Sequence, residues 1–263
     1  MTARQHAVIM CNDHRQRFTR KQLRDAYEVL RDLSDNAPDQ GELFPTLYGP
    51  VIRLQDGKRV MSNARWGLPS SSQAQFIAAT TRADKLRAKG KEFDFKELMR
   101  MEPDGGTTNV RNTESKHWKP WLGPAYRCLV PWSSFAEPTK TPDGTSANAW
   151  FALDESLPLA SFAGIWIPQQ TRVWKMKEGE TTTDCYAFLT TEPNTEVAPI
   201  HPMAMPVILS SPEEEEIWLK ANWEEAKSLQ RPLPTGSLKS IHIEPLAPRK
   251  KAEPPSRGGS DLL

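Results

Sequence analysis

Apolar positions along the first third of the chain follow a helical spacing. Leu23, Ala26, Tyr27, Leu30 and Leu33 recur behind Thr19, a residue suited to capping, and predict an amphipathic helix over Arg20 to Leu33. The pattern then shortens. Pro50 to Leu54 and Arg59 to Ala64 read as strands on either side of Asp56-Gly57, a dipeptide that favours a tight hairpin turn, and lead into Arg65-Trp66-Gly67-Leu68-Pro69. Gln73 to Met101 reads as mostly helical and mixed in charge, ending at Asp104-Gly105-Gly106. Four strand runs follow, at Arg127 to Pro131, Ala149 to Leu153, Leu159 to Ile167 and Cys185 to Thr190, each bounded by Pro, Asp or Gly. Ser211-Pro212-Glu213 supplies a cap, a first-position proline and first-turn acids, so the helix dipole accounts for Glu213 to Glu216 without a catalytic role. A last strand is expected near Leu238 to Ile243, and Pro245 to Leu263 has the polar, Pro/Gly-rich composition of a disordered tail.

Consecutive strands with few helices between them predict an α+β fold with a mainly antiparallel sheet. The 263 residues, 38% hydrophobic and with nine Trp, provide core enough for one domain. A net charge of +1 gives no global field for nucleic acid, so DNA binding would rest on a local surface. Arg82, Lys85, Arg87, Lys89 and Lys91 form one basic cluster, which fits either a solvated face or a flank for a phosphate backbone. Three cysteines without CxxC spacing argue against a disulfide framework or structural zinc, and fit a reducing, cytoplasmic setting. The start MTARQHAVIMCN has no signal-peptide pattern, and no stretch approaches a membrane span of roughly 20 apolar residues.

The segment Thr107 to Pro138 sets an amide, a guanidinium and an acid (Asn109, Arg111 and Glu137) around the strand at Arg127 to Pro131, a combination that suits a small polar site. Two distant segments add to it. Met10-Cys11 brings a thiol, and Ala198 to Leu209 brings the imidazole of His201. Taken singly, each has an ordinary reading: Cys11 as a plain thiol, Glu137 as a surface acid, His201 as a hydrogen-bonded core histidine, Asn109 as a turn cap, Arg111 as an ion-pair partner. Cys128 and Cys185 lie in apolar runs and read as inert core, and His117 reads as near the surface.

Five ordered motifs carry a resemblance: Met10-Cys11, Trp66-Gly67-Leu68-Pro69, the N-x-R-x-T stretch from Asn109, Arg127-Cys128-Leu129-Val130-Pro131 followed by an aromatic and Glu137, and Ile200-His201-Pro202 running into Met205-Pro206-Val207-Ile208-Leu209. In that order they resemble the SOS-response-associated peptidase family of abasic-site processing proteins. The resemblance implies a barrel-like sheet and a covalent thiazolidine between an N-terminal cysteine and the ring-opened deoxyribose of an abasic site in single-stranded DNA. It assigns Cys11 as nucleophile, Glu137 as proton shuttle, His201 as the aid to sugar opening and Asn109 as a positioning amide. Arg111 would bind the neighbouring phosphate and Trp66 would stack near the bases. No metal or organic cofactor is implied, and the chain is expected to act as a cytoplasmic monomer, on the nucleoid when bound to DNA.

The chain departs from the family pattern in places. Cys11 is preceded by ten residues, yet imine formation needs its amine free, so either Met10 is the real start or residues 1–10 are a leader that is removed. The domain is then expected over 11–244 with a tail over 245–263. Cys11-Asn12-Asp13 replaces the familiar Cys-Gly-Arg opening, and the histidine motif carries one extra residue and lacks its arginine. Two other functions fit the same residues: a cysteine peptidase or amidase using Cys11, Glu137 and His201, and a non-catalytic single-strand-binding module built on Arg111, Trp66 and the basic cluster.

Overall fold

The computed structural model describes residues 13–34 and 41–246. Short elements come first: β1 (Asp13–Gln16), α1 (Arg20–Ala26), β2 (Arg31–Asp32) and β3 (Gly41–Leu43). The expected hairpin follows as β4 (Tyr48–Gln55) and β5 (Lys58–Trp66). Asp56 and Gly57 take φ of 52° and 72°, the pair of left-handed positions that a two-residue hairpin turn needs. The long helical stretch divides into α2 (Ser72–Arg87) and α3 (Phe95–Arg100), and β6 (Asn109–Val110) comes next. A run of strands then builds most of the molecule: β7 (Arg127–Trp132), β8 (Ser134–Lys140), β9 (Ser146–Ala152), β10 (Ala160–Val173) and β11 (Glu180–Thr191). The chain finishes with β12 (Met205–Pro206), β13 (Ile208–Leu209), α4 (Pro212–Lys220), α5 (Trp223–Ala226) and β14 (Lys239–Pro245).

Strand pairing closes a barrel. β10, β7, β4, β5 and β11 follow one another edge to edge, and β11 returns to β10, so the five form a ring. Every pairing in it is antiparallel except β5 with β11. A second sheet, ordered β14-β9-β8-β1-β3, is antiparallel throughout. The fold is therefore α+β, mainly antiparallel and barrel-like, as the sequence and the resemblance led us to expect.

The barrel strands are buried on both faces, which is why they read as near-continuous apolar runs. Along β10 and β11, Phe162, Trp166, Tyr186 and Phe188 enter a core shared with Phe135 and Phe151 of the second sheet. The alternate residues Ala163, Ile165, Cys185 and Ala187 enter a core shared with Leu23 of α1 and Trp218 of α4. Ser211 caps α4 by accepting from the Glu214 amide, and the first-turn glutamates sit as the dipole argument requires.

One expected element is shorter. The helix from Arg20 stops at Ala26, because Glu28 turns the backbone to φ 51° and the chain then runs beside β5. There the Leu30 and Leu33 amides donate to the Arg59 and Met61 carbonyls at 3.0 and 2.7 Å. Sheet hydrogen bonds replace the helical ones, and Leu30, on the expected apolar face, is exposed. The sequence reading also passed over β1 and β8, whose polar residues gave no strand pattern.

Two glycines make one close crossing. Gly67 and Gly106 take φ of 129° and 80°, and the flanking residues Leu68 and Thr107 exchange both amide hydrogen bonds at 2.9 and 2.7 Å. A Cβ on Gly106 would lie 2.8 to 2.9 Å from the Gly67 backbone. Gly106→Ala is expected to cost about 1–3 kcal/mol through forced φ and overlap, read as a lower urea midpoint. An unchanged midpoint would mean that the crossing yields freely.

Candidate functional site

Glu137 is the chemically unusual residue of the second sheet. It lies on β8, opposite Ala149 of β9, two residues beyond Phe135 and therefore on the same inward face. It is 0% exposed, and among the described residues neither carboxyl oxygen has a hydrogen bond. Its nearest ionisable neighbour is His201, whose Nδ1 stands 3.5 Å from Oε2. Burial pushes the Glu137 carboxyl well above its usual value, because the charged form would lose its water without gaining a cation. Such a group holds its proton to higher pH than an exposed carboxyl does.

His201 is held by a compact turn. The Asn194 side chain accepts from the Val197 amide at 3.2 Å, and the His201 amide donates to the Val197 carbonyl at 2.8 Å. The Ala204 carbonyl accepts from the His201 ring at Nδ1, at 2.8 Å. A carbonyl only accepts, so Nδ1 carries the hydrogen and the neutral ring presents Nε2 as a base. Glu137 and His201 thus supply an acid and a base side by side.

Asn109 arrives from the barrel. It lies on β6, which runs parallel to β11 with Asn109 opposite Phe188, and its amide donates to Thr108 Oγ1 at 2.9 Å. Its approach is fixed by a buried clamp that the sequence reading did not find. Asp104 accepts from the Ser70 amide and hydroxyl at 2.9 and 2.7 Å and from the Gly106 amide at 2.9 Å, and pairs with Arg172 at 3.1 Å. Burial alone would raise the Asp104 carboxyl, but these donors hold it below its usual value. Arg172 also donates to the Gly67 carbonyl and lies 3.6 Å over the Trp174 ring. An acid just before two glycines and the Asn109 motif was the signal available, and it read only as the end of a helix.

The other expected residues are placed differently. Arg111 is exposed at the surface, 3.4 Å from Glu192, where a guanidinium can meet a phosphate. Trp66 is 0% exposed and donates from its ring nitrogen to the Thr108 carbonyl at 3.0 Å. Its faces meet Tyr186 and Phe188, so it packs the wall behind Asn109 and offers no open face to a base. Cys11 lies outside the described residues. Cys128 and Cys185 are buried, and burial pushes the Cys185 thiol up to about 11. His117 is half-buried and bonded at 3.0 Å to the Pro69 carbonyl, a tether for the Trp66-Gly67-Leu68-Pro69 loop.

The family model described as SOS response associated peptidase (SRAP) matches residues 10–247. The chain belongs to this family. Solved structures share the SRAP-like fold: a protein from Bacteroides thetaiotaomicron has a TM-score of 0.59 at 20% identity, covering 87% of this chain and 90% of its own. A protein from Bordetella bronchiseptica has a TM-score of 0.59 at 18% identity, covering 90% of this chain and 100% of its own. A phage-related protein from the same organism has a TM-score of 0.54 at 17% identity, covering 90% and 94%. At these identities the likeness is one of fold. No curated protein matches the chain.

SRAP membership supports a role associated with DNA damage and contact with DNA. Among the described residues no helix is long and apolar enough to cross a membrane. No group of three or more His, Cys, Asp or Glu among them could hold a metal ion.

The buried acid of this SRAP chain has a signed consequence for stability. Glu137 binds its proton more tightly folded than unfolded, so its contribution is full below the unfolded value of 4.5 and is lost as pH rises toward the folded one. Glu137→Gln, neutral at every pH, is expected to be more stable than the parent at pH 7, with the difference shrinking toward pH 4. Urea melts of both proteins at the two pH values measure it, and a pH-independent difference would contradict the burial argument.

Proposed function

We propose that this chain is an abasic-site processing protein that binds single-stranded DNA and captures the ring-opened deoxyribose as a thiazolidine on Cys11. The observation that carries the reading is the buried Glu137 against His201. Support for its use with Cys11 is covalent: Cys11 lies two residues before Asp13, a reach of about 7 Å, and Asp13 pairs with Ala136, the neighbour of Glu137.

The chemistry follows from these groups. His201 Nε2 takes the proton from the anomeric hydroxyl and returns it to the ring oxygen as the bond from that oxygen to the anomeric carbon breaks, opening the sugar to an aldehyde and a free hydroxyl. The Cys11 amine adds to the aldehyde carbon, and Glu137 gives its proton to the departing hydroxyl, releasing water and leaving an iminium. The Cys11 sulfur then adds to the same carbon and closes a five-membered ring, its proton returning to Glu137. Aldehyde and aminothiol thereby become thiazolidine and water. Asn109 orients the amine or the sugar oxygen. Arg111 binds the adjacent phosphate, since its exposed pair with Glu192, worth roughly 0–1 kcal/mol, gives way readily to another anion.

Ring closure requires a free Cys11 amine, so residues 1–10 must be absent from the active form. The family's description as a peptidase favours a linked second reading, in which Cys11, Glu137 and His201 cleave the Met10-Cys11 bond. We expect the chain starting at Cys11, confirmed by intact mass, to give a heat-stable band with single-stranded DNA bearing one abasic site. Cys11→Ala should give none, and Glu137→Gln should slow capture by about 10²–10⁴-fold. A confirmed Cys11 terminus that yields no adduct would sink the crosslinking reading, while loss of residues 1–10 without DNA capture would favour the peptidase.

A further inference from the structure

β1 carries a histidine that none of these steps uses. His14 is 0% exposed, and neither ring nitrogen has a hydrogen-bond partner among the described residues. Its ring is enclosed edge-on by Trp66, Phe162 and Phe188 at centroid distances of 4.9, 5.8 and 6.0 Å. Burial pushes the imidazole down to about 3, so it is neutral, with one N–H donor and one bare nitrogen. An apolar ring would fill this cage without orphaned polar atoms, so a histidine here costs stability that a core role does not explain.

Strand register sets this imidazole beside Glu137. His14 stands opposite Phe135, and Glu137 lies two residues further on the same face of β8. Such diagonal neighbours are about 7–8 Å apart, within reach of long side chains. Glu137 is likewise buried with both oxygens unbonded. His14 also abuts Phe188, the residue opposite Asn109. Among the described residues, His201 from its turn and His14 from β1 lie on the side of Glu137, Asp13 and Arg15 of β1 stand at the alternate positions opposite Ala136 and Ser134, and β9 presents Ala149. A water joining this imidazole to the carboxyl would give both groups the hydrogen bond that their protein neighbours do not supply.

We propose that His14 is a positioning residue for Glu137, a neutral imidazole that holds the carboxyl through one bridging water. The role rests on the reading of Glu137 as the proton-carrying group of the site. The imidazole transfers no proton. Its N–H, relayed by the water, favours the ionised carboxyl and so lets Glu137 release its proton more readily than burial alone would allow.

The test is a pH titration of the full chain labelled with ¹³C at the glutamate side-chain carboxyls, with Glu137→Gln identifying the signal. His14→Phe is expected to move the Glu137 midpoint upward by about one pH unit, the size of one hydrogen bond. His14→Gln, which keeps a donor and an acceptor, should return it toward the parent. A folded His14→Phe with an unshifted Glu137 midpoint overturns the proposal, and His14→Leu serves if the phenylalanine does not fit. Adduct formation, measured in parallel on the Cys11-terminated form, separates the two readings. A parent that captures no DNA removes the crosslinking function and leaves the titration result standing, whereas capture with an unshifted midpoint removes only the role of His14.

Discussion

The buried pair of Asp104 and Arg172 is the interaction on which the geometry of the loops at one end of the barrel depends. Both side chains are 8% exposed, and a buried ion pair is favourable only when its remaining donors and acceptors are satisfied. Here the carboxyl takes the Ser70 and Gly106 donors as well as the guanidinium, and the guanidinium takes the Gly67 carbonyl. The pair therefore ties together the loop after β5, the loop before β6 and the far end of β10. Two backbones can cross there at contact distance only because Gly67 and Gly106 have no side chains. Thr107 and Thr108 follow directly, and Asn109 is delivered to its place beside β11.

Against this firm end stands an expensive interior. Glu137 and His14 both give up water without a direct hydrogen bond in return, in a region otherwise made of aromatic rings. Folded proteins retain such groups where function demands them and offset the loss with packing elsewhere. The offset here is visible in the two cores on either side of the barrel strands, with Trp132, Phe135, Phe162 and Phe188 on one side and Trp218 bonded to the Cys128 and Gly164 carbonyls on the other. Desolvation thus raises the proton affinity of Glu137, and the turn around His201 holds an imidazole 3.5 Å from its carboxyl.

Much of this was legible in the chain. Apolar runs named β7, β9, β10 and β11 because strands buried on both faces cannot hide among polar residues. The Asp56-Gly57 turn and the Ser211-Pro212 helix start were legible because each depends on local backbone chemistry. The ordered motifs gave the family. The helix from Arg20 was overdrawn because its last third finds better hydrogen-bond partners on β5, a gain that no local spacing reveals. β8 was passed over because its polar Ser134 and Glu137 and its Pro138 give no strand pattern, and only sheet pairing buries the first two.

The sequence by itself determined most element types, the α+β class and the residue types available for acid, base and thiol chemistry, since those follow from composition and short-range pattern. Tertiary structure alone decided the rest. Trp66 became the wall of the site because two sheets close over it. Asp104 and Arg172, 68 positions apart, became one clamp. His14, an unremarked residue in a polar tetrapeptide, came to lie beside Glu137 because antiparallel register, which depends on residues far along the chain, fixes which side chains share a face.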